Sequence, residues 1–364
     1  METRGRAVDV VDPDGRFVAR ALVDPDNNPA LRVFSVRAGQ LFNEPFLRRR
    51  LEQCLAWRQQ QGHGRQGAFR LVSGDTEGIP AVTVDWYAGY LVVCFYSLLP
   101  TVHQEALVSA LSTVQPLGVY LQHRPAPATG QPRPGAQLVA GSHAPPEVEV
   151  AEGRCRYAVD VSAPSNPGLF LDMRAGRELV ARLSAGRRVL NCFSYTGAFS
   201  VVAAAHGAQA VVSIDSSARA HGRARRNFEL NRLDLTDARY EFVTGDTFAT
   251  LARLADRGRE FELVILDPPT FSKAKGQTFT ALKDYAELVQ AAVSVLAPDG
   301  VLLACCNAAK LPAPDLDRAL GRGAARVGRR LVVTEQLGLP PDFPVLPAFT
   351  EGAYLKILVA RRVE

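Results

Sequence analysis

The chain has 364 residues, of which 47% are hydrophobic, so it can bury full cores and implies two or three domains rather than one. Its formal net charge is +5 with arginine far outnumbering lysine, a balance that suits phosphate contacts and equally describes a solvated basic surface. No apolar run reaches membrane-spanning length, Met1-Glu2-Thr3-Arg4-Gly5-Arg6 has no hydrophobic signal core, and Cys54, Cys94, Cys155, Cys192, Cys305 and Cys306 follow neither metal-ligand nor disulfide spacing, which excludes membrane, secreted disulfide-rich and structural-zinc classes and predicts a reduced, cytoplasmic, metal-free protein.

In chain order, the turn Asp12-Pro13-Asp14-Gly15 separates candidate strands Ala7–Val11 and Phe17–Leu22, and a Pro/Asn-rich turn precedes a third at Ala30–Val36. Apolar residues at helical spacing predict a helix over Phe46–Gln61, with Arg48-Arg49-Arg50 along it as a solvated face. Strands are expected at Phe69–Val72, Ala81–Asp85, Tyr90–Phe95 and Val119–Gln122, with a short helix at Val102–Leu111. Residues 124–146 are Pro-rich with little periodicity and read as a surface connection, before a hairpin of Val148–Val150 and Cys155–Val161. The helix Ala175–Leu183 follows.

From residue 187 the pattern becomes a regular alternation. Strands at 187–192, 210–215, 239–243, 261–266 and 300–306 are separated by helices at 198–206, 217–232, 247–256 and 280–296, the rhythm of a doubly wound, mostly parallel α/β sheet. A strong strand, Tyr354–Ala360, closes the chain and predicts a terminal hairpin beside the fifth strand.

Two strand exits carry most of the chemistry. Val189-Leu190-Asn191-Cys192 breaks into Phe193-Ser194-Tyr195-Thr196-Gly197, and Val264-Ile265-Leu266 breaks into Asp267-Pro268-Pro269-Thr270-Phe271. An apolar strand ending in small or Pro/Gly residues delivers a loop to the crevice at the carboxyl edge of an open sheet. Proline holds its neighbour extended and removes an amide, so in Asp267-Pro268-Pro269 the carbonyl of Asp267 or Pro268 is stiffly held and, with the Asp267 side chain, can face a planar amine-bearing base, on which Phe271 can stack. Residues 191–197 suit the methionine part of a nucleoside cofactor, and the lack of G-x-G-x-x-G argues against a dinucleotide. Asp215, followed by Ser216, ends the second strand, where an acid can accept both ribose hydroxyls; Asp246, with Thr247 and Phe248, ends the third, where it can accept an adenine amino proton while Phe248 packs on the ring.

The Asp-Pro-Pro-Thr run resembles the fourth motif of S-adenosylmethionine-dependent methyltransferases that act on planar nitrogens or bases. Over nearly the whole chain, Gly168-Leu169-Phe170-Leu171-Asp172-Met173-Arg174 and Asn191–Gly197 resemble the bacterial 23S rRNA base methyltransferases, which join an N-terminal PUA-type barrel to a Rossmann-like class I domain. That resemblance implies a partial PUA-like RNA-binding module at 1–40, a small α+β middle domain at 41–161 and a seven-stranded methyltransferase domain at 162–364. It places Phe170, Asp172 and Arg174 at the border of the S-adenosyl-L-methionine pocket. It also implies that the chain starts part-way into the barrel, without the opening strand and its His-Pro-Trp-like segment.

The implied partner is large-subunit rRNA, and a homodimer is compatible with this reading. The cytosine-C5 members carry a nucleophilic cysteine just after the fifth strand, but here the segment is Ala304-Cys305-Cys306-Asn307-Ala308, and the family's cysteine column falls on Asn307. Methylating C5 needs a thiolate at C6, whereas guanine N7 owns its lone pair and needs only positioning, for which Asn307 offers an amide. Guanine N7 is therefore expected ahead of cytosine C5 with Cys306 as nucleophile. The competing classes are an RNA-binding or assembly protein without turnover and a small-molecule methyltransferase.

Overall fold

The computed structural model of the protein describes residues 3–124, 134–274, 277–349 and 352–363. It divides into two compact units: Met1–Glu152 with Ala158–Leu171 and Pro341–Leu346, and Gly153–Tyr157 with Asp172–Pro340 and Pro347–Glu364.

The first unit opens with β1 (Ala7–Val11), β2 (Phe17–Val23) and β3 (Leu31–Ser35), an antiparallel sheet in which the Asp12 carboxylate accepts the amides of Asp14 and Arg16 and so builds the first turn. Helix α1 (Glu44–Gln60) starts ahead of the expected Phe46 because Asn43 caps it, accepting the Phe46 amide at 3.2 Å. Then come β4 (Ala68–Ser73), β5 (Val82–Tyr87), β6 (Tyr90–Phe95), α2 (Gln104–Leu111), β7 (Gly118–His123) and β8 (Gln137–Gly141). These strands form one sheet in that order, parallel between β6 and β7 and antiparallel elsewhere. β8 lies inside the Pro-rich stretch expected to be a plain connection; residues 125–133 of that stretch lie outside the described residues. Its alternately exposed Gln137-Leu138-Val139-Ala140 run is an edge strand whose signal the prolines around it obscured.

Leu22 and Phe34 of the first sheet, Leu47 and Leu51 of α1, and Phe69, Trp86 and Phe95 of the second sheet are buried in one cluster. The contacts therefore run through residue 40 rather than dividing there. Beneath α1, Arg58 is fully buried: its guanidinium donates to both Glu77 carboxylate oxygens, to the Arg70 carbonyl at 2.8 Å and to the Asp342 carbonyl at 3.0 Å. Asp342 returns the contact through its carboxylate, which accepts the Arg70 amide at 2.9 Å. Thus the buried cation is neutralised and its donors occupied, as removal from water requires.

The chain leaves this unit through a hairpin of β9 (Val148–Glu152) and β10 (Cys155–Val159), then enters α3 (Arg174–Leu183). The second unit continues with β11 (Arg188–Cys192), α4 (Ala198–Ala205), β12 (Ala210–Asp215), α5 (Ala218–Leu230), β13 (Tyr240–Thr244), α6 (Thr247–Asp256) and β14 (Phe261–Leu266). After it come the hairpin β15 (Phe271–Ala274) and β16 (Gln277–Thr280), α7 (Ala281–Val293), β17 (Leu296–Cys306), α8 (Ala313–Ala325), β18 (Leu331–Leu337) and β19 (Lys356–Arg362). The seven-stranded sheet has the order β13-β12-β11-β14-β17-β19-β18, with β11, β12, β13, β14 and β17 parallel and β19 antiparallel to both neighbours.

The expected α/β fold is what forms, and two elements go beyond the expectation. Helix α8 was hidden by Pro312, Pro314, Gly321 and Gly323. Gly323 is required by packing, because a Cβ there would lie 2.5 Å from the Ala286 carbonyl oxygen and 2.7 Å from Val289 Cβ on α7. The β15-β16 hairpin, which follows the Asp-Pro-Pro turn directly, is not among the expected strands. From β11 the chain winds outward through β12 to β13, then returns to lay β14 on the other side of β11. That reversal of strand order opens a crevice at the carboxyl ends of β11 and β14.

Removing one partner of the Arg58 network should expose its cost. Glu77→Ala, which strands a buried guanidinium, is expected to destabilise the first unit by about 3–5 kcal/mol. Urea unfolding followed by Trp fluorescence measures this, and a midpoint within error of wild type would contradict the assignment.

Candidate active site

Strand register brings the predicted residues to one edge of the sheet. Cys192 pairs with Ile214 on one side and Leu266 on the other, and Leu266 with Ala304, so the exits after residues 192, 214, 266 and 304 lie side by side.

The first exit is held in an unusual backbone. Phe193, Tyr195 and Gly197 have φ of 60°, 49° and 72°, and two of the three are not glycine. Such conformations persist only where surroundings over-determine them. Here the Ser194 amide donates to the Ile214 carbonyl, the Tyr195 amide to Asp215 Oδ2 and Asn227 Nδ2 to the Thr196 carbonyl, each at 2.8 Å. Gly197 is fixed twice over, since besides its positive φ a Cβ there would sit 2.9 Å from Ala224 Cβ on α5. It forms the N-cap of α4, whose first amides face the edge.

Not every residue of the motif offers its side chain. Cys192 is fully buried in the core, and its thiol is raised by desolvation. Asn191 Nδ2 donates to Ser200 Oγ at 2.9 Å, and Ser200 Oγ shares a hydrogen with Ser213 Oγ at 2.7 Å, which ties α4 and β12 to β11. Asn191 Oδ1 is left buried with no hydrogen-bond partner among the described residues.

At the second exit the half-buried Asp215 accepts from the Tyr195 amide with one oxygen and from the Ser217 amide at 2.9 Å with the other. A carboxylate has further lone pairs, so it can also accept from a diol. Ser216 beside it is exposed. Its neighbour His221 bridges Ser194 Oγ (3.3 Å) and Thr244 Oγ1 (2.9 Å), and burial pushes its pKa down, with Asp215 opposing, which favours the neutral ring. The third exit is joined to the second by the Gly245 amide, which donates to the Asp215 carbonyl at 2.9 Å. Asp246 is exposed and caps α6, accepting the Ala249 amide at 2.9 Å, so capping is part of its role. Thr247 is buried and Phe248 packs on the core of the unit.

The fourth exit holds the most perturbed carboxyl. Asp267 is pushed up to about 7 by desolvation, with the neighbouring Asp172 carboxylate raising it further and the buried Arg177 guanidinium pulling it down. Asp172 accepts the Tyr354 hydroxyl at 2.7 Å. Arg174 is buried near the start of α3, and Phe170, 43% exposed, belongs to the first unit. Pro268 is buried, whereas Pro269, Thr270 and Phe271 are exposed. Thr270 Oγ1 donates to Asn307 Oδ1 at 2.7 Å, joining the Asp-Pro-Pro loop to the fifth exit.

Sequence reasoning missed Arg177, Tyr354, Asn227 and His221. Arg177 had a signal, since it lies three positions after Arg174 on one helix face. The others come from distant segments, and nothing local marks them.

These groups fit S-adenosyl-L-methionine. Backbone amides at α4 match its carboxylate, the Asp215 carboxylate its ribose diol, and the open Asn191 acceptor any donor that reaches the first exit. The adjacent carboxyls of Asp172 and Asp267, offset in part by Arg177, favour a further cation. When bound, the cofactor supplies an electrophilic methyl group on a sulfonium. Among the described residues no group of three or more His, Cys, Asp or Glu side chains is arranged to hold a metal, and no helix is long and apolar enough to cross a membrane.

Comparison with known proteins agrees with this chemistry. The family model for S-adenosylmethionine-dependent methyltransferases matches residues 69–361. The ribosomal RNA large subunit methyltransferase I of Yersinia pseudotuberculosis is 33% identical over 361 residues, 98% of this chain and 90% of its own length, and the Yersinia pestis protein of that name matches equally. A crystal structure of SMU.776 complexed with SAH has a TM-score of 0.89 at 25% identity, covering 99% of this chain and 92% of that one. A SAM-dependent methyltransferase structure from Streptococcus mutans gives 0.86 at the same identity and coverage.

Two outcomes follow from the carboxyls. Asp215→Ala should weaken adenosylmethionine binding by about 1–3 kcal/mol, since it removes an acceptor and frees the Tyr195 amide; unchanged calorimetric affinity in a folded variant would take Asp215 out of the site. Asp267 is raised from 3.8 in the unfolded chain to about 7, so its contribution to stability is fully present below pH 3.8 and is lost as pH rises through 7. A bound cation draws that proton off. Cofactor uptake near pH 6 should therefore release a proton, and affinity should climb with pH and level off above about 7. Calorimetry in two buffers of different ionisation enthalpy reads the release, and Asp267→Asn should abolish it.

Proposed function

The chain belongs to the S-adenosylmethionine-dependent methyltransferase family, and from that premise we propose that it methylates a base of large-subunit rRNA, with guanine N7 as the acceptor. The 33% identity to the large-subunit enzymes supports the RNA. One observation carries the choice of atom: after the fifth strand the exposed side chain is Asn307, bonded to Thr270 of the Asp-Pro-Pro loop, while both adjacent cysteines are buried.

Cytosine C5 is activated only when a thiolate adds to C6. Cys305 is fully buried, and desolvation together with the charges of Asp267 and Cys306 holds its thiol well above the ordinary range. Cys306 is 2% exposed and raised by burial. Both are poor nucleophiles. Guanine N7 needs no covalent activation: its lone pair forms the new N–C bond while the thioether leaves with the S–C pair, and no proton has to be removed. The protein's part is to orient the base and tolerate the positive charge that N7 gains. Pro268 and Pro269 stiffen the loop, Thr270 and Asn307 present polar groups to a base edge, and Asp267 offers a carboxylate for that charge. Residues 1–40 act in this reading as an RNA-contacting module, and the protein works in the cytoplasm, where rRNA is modified.

A competing cytosine-C5 reading draws on one observation, the Lys356 ammonium near Cys306, which lowers the thiol's pKa against burial. The two readings part cleanly. For a nitrogen acceptor, Cys305→Ser and Cys306→Ser should keep most methyl transfer to rRNA, and Asn307→Ala should lose about three- to tenfold, the worth of one hydrogen bond. Mass mapping of rRNA from a deletion strain should show one missing 7-methylguanosine. A covalent adduct with 5-fluorocytosine-substituted RNA, lost in Cys306→Ser, would instead establish the carbon acceptor.

A further inference from the structure

Arg48, Arg49 and Arg50 read as one solvated stripe in sequence, but the fold separates them. Arg48 is engaged: its guanidinium donates to Glu44 at 2.8 Å, to Ser112 Oγ at 3.2 Å and to the Ser109 carbonyl at 3.2 Å. Arg49 and Arg50 instead line a cleft in the first unit, together with Ser35 and Arg37 from the end of β3, Phe46 and Gln53. The cleft has a volume of about 120 Å³. That is well above the roughly 10–15 Å³ a single water needs by this measure, so a small anion can enter.

Its chemistry is one-sided. Three of its lining residues are arginines, and none is acidic. Arg50 lies 5.6 Å from the Phe46 ring centroid and donates to the neutral Gln53 amide at 3.4 Å. Arg37 and Arg49 are exposed and have no ion-pair partner among the described residues. Several other arginines of this unit are matched to carboxylates, Arg20 with Asp9, Arg32 with Asp24 and Asp75, and Arg70 with Asp85, while Arg65 is held by the Gln115 side chain and main-chain carbonyls. Three like charges held around one hollow repel each other, a cost that a bound anion removes. Ser35, 7% exposed, also lines the cleft, and its hydroxyl accepts the Arg37 amide at 3.1 Å. Beside the cleft, Val36 is 77% exposed and Leu41 60%, apolar surface on which a base or ribose can rest.

We propose that this cleft is an RNA phosphate site, in which Arg37, Arg49 and Arg50 grip one or two backbone phosphates of the substrate strand away from the reacting base. Guanidinium forks suit phosphate oxygens, and such contacts fix register without reading sequence. The assignment rests on the RNA reading above only for the identity of the strand.

The test uses the full-length protein carrying Arg37→Gln and Arg49→Gln, exposed changes that leave the core intact, with Arg48→Gln as the control. Binding of a large-subunit rRNA fragment is followed by fluorescence anisotropy over a salt series. Loss of two phosphate contacts should flatten the slope of log affinity against log salt by about 1.5. KM for the rRNA should rise about tenfold at constant kcat and constant adenosylmethionine affinity, and Arg48→Gln should change neither slope nor KM. An unaltered slope and KM in the double variant, or an equal effect from Arg48→Gln, overturns the site. Saturable binding of inorganic phosphate, lost in the double variant while the RNA slope is unchanged, also overturns it, because the cleft then serves a free anion. Arginine-dependent RNA binding without methylation of any rRNA would overturn the methyl-transfer reading and leave this site standing.

Discussion

The carboxylate of Asp215 joins what the sheet alone would leave apart. One oxygen accepts the amide of Tyr195 in the loop after the first strand, the other the amide of Ser217 at the head of the next helix. The loop it holds has three residues at positive φ, and two of them carry side chains that disfavour that conformation. Without an acceptor at 215 the Tyr195 amide would have no reason to point toward the second strand. The acid at the end of the second strand thus shapes the first exit, and as a proposed ribose acceptor it has capacity left, because a carboxylate accepts more than two hydrogen bonds.

A consequence is that the motif around residue 191 works mostly through its backbone. Cys192 fills the core and the Asn191 amide ties strand to helix, so the residues that look most distinctive in sequence are partly structural. The groups left facing the crevice are acids, and they are not equivalent. Asp246 is exposed and caps a helix, whereas Asp267 is desolvated beside Asp172 and is only half-ionised near neutral pH. Placing the costly carboxyl at the fourth exit gives the site a group whose charge responds to whatever cation enters. That suits a donor whose methyl sits on a sulfonium.

The first unit solves a different electrostatic problem. It buries Arg58 under α1 and surrounds it with Glu77 and two main-chain carbonyls, one from Asp342, so that a late segment of the chain is taken into the core of an early one. Around this paired interior several surface arginines are matched to carboxylates, Arg65 is held by neutral acceptors, and Arg37, Arg49 and Arg50 line the cleft by Ser35. The same residue type therefore specifies the fold in one place and leaves an unmatched charge in another.

Much of the second unit was legible in its sequence because buried parallel strands read as near-continuous apolar runs, and the abrupt change to Phe193-Ser194-Tyr195 or Asp267-Pro268-Pro269 marks where each one ends. Those local signals determined the α/β fold, the crevice edge and the acids at 215, 246 and 267. Helix α8 and strand β8 escaped because proline and glycine dominated the local pattern, while the contacts that stabilise them, Gly323 against α7 and β8 against β7, are long-range. Only the tertiary structure decided the rest. It buried Cys306 and exposed Asn307 although they are adjacent, since the end of β17 is covered on both faces and the strand stops at Cys306. It raised Asp267 chiefly by burying it and further by bringing Asp172 beside it, and it split Arg48 from Arg49 and Arg50. In each case the deciding quantity is proximity to a group far away in the chain, which no local pattern of residues encodes.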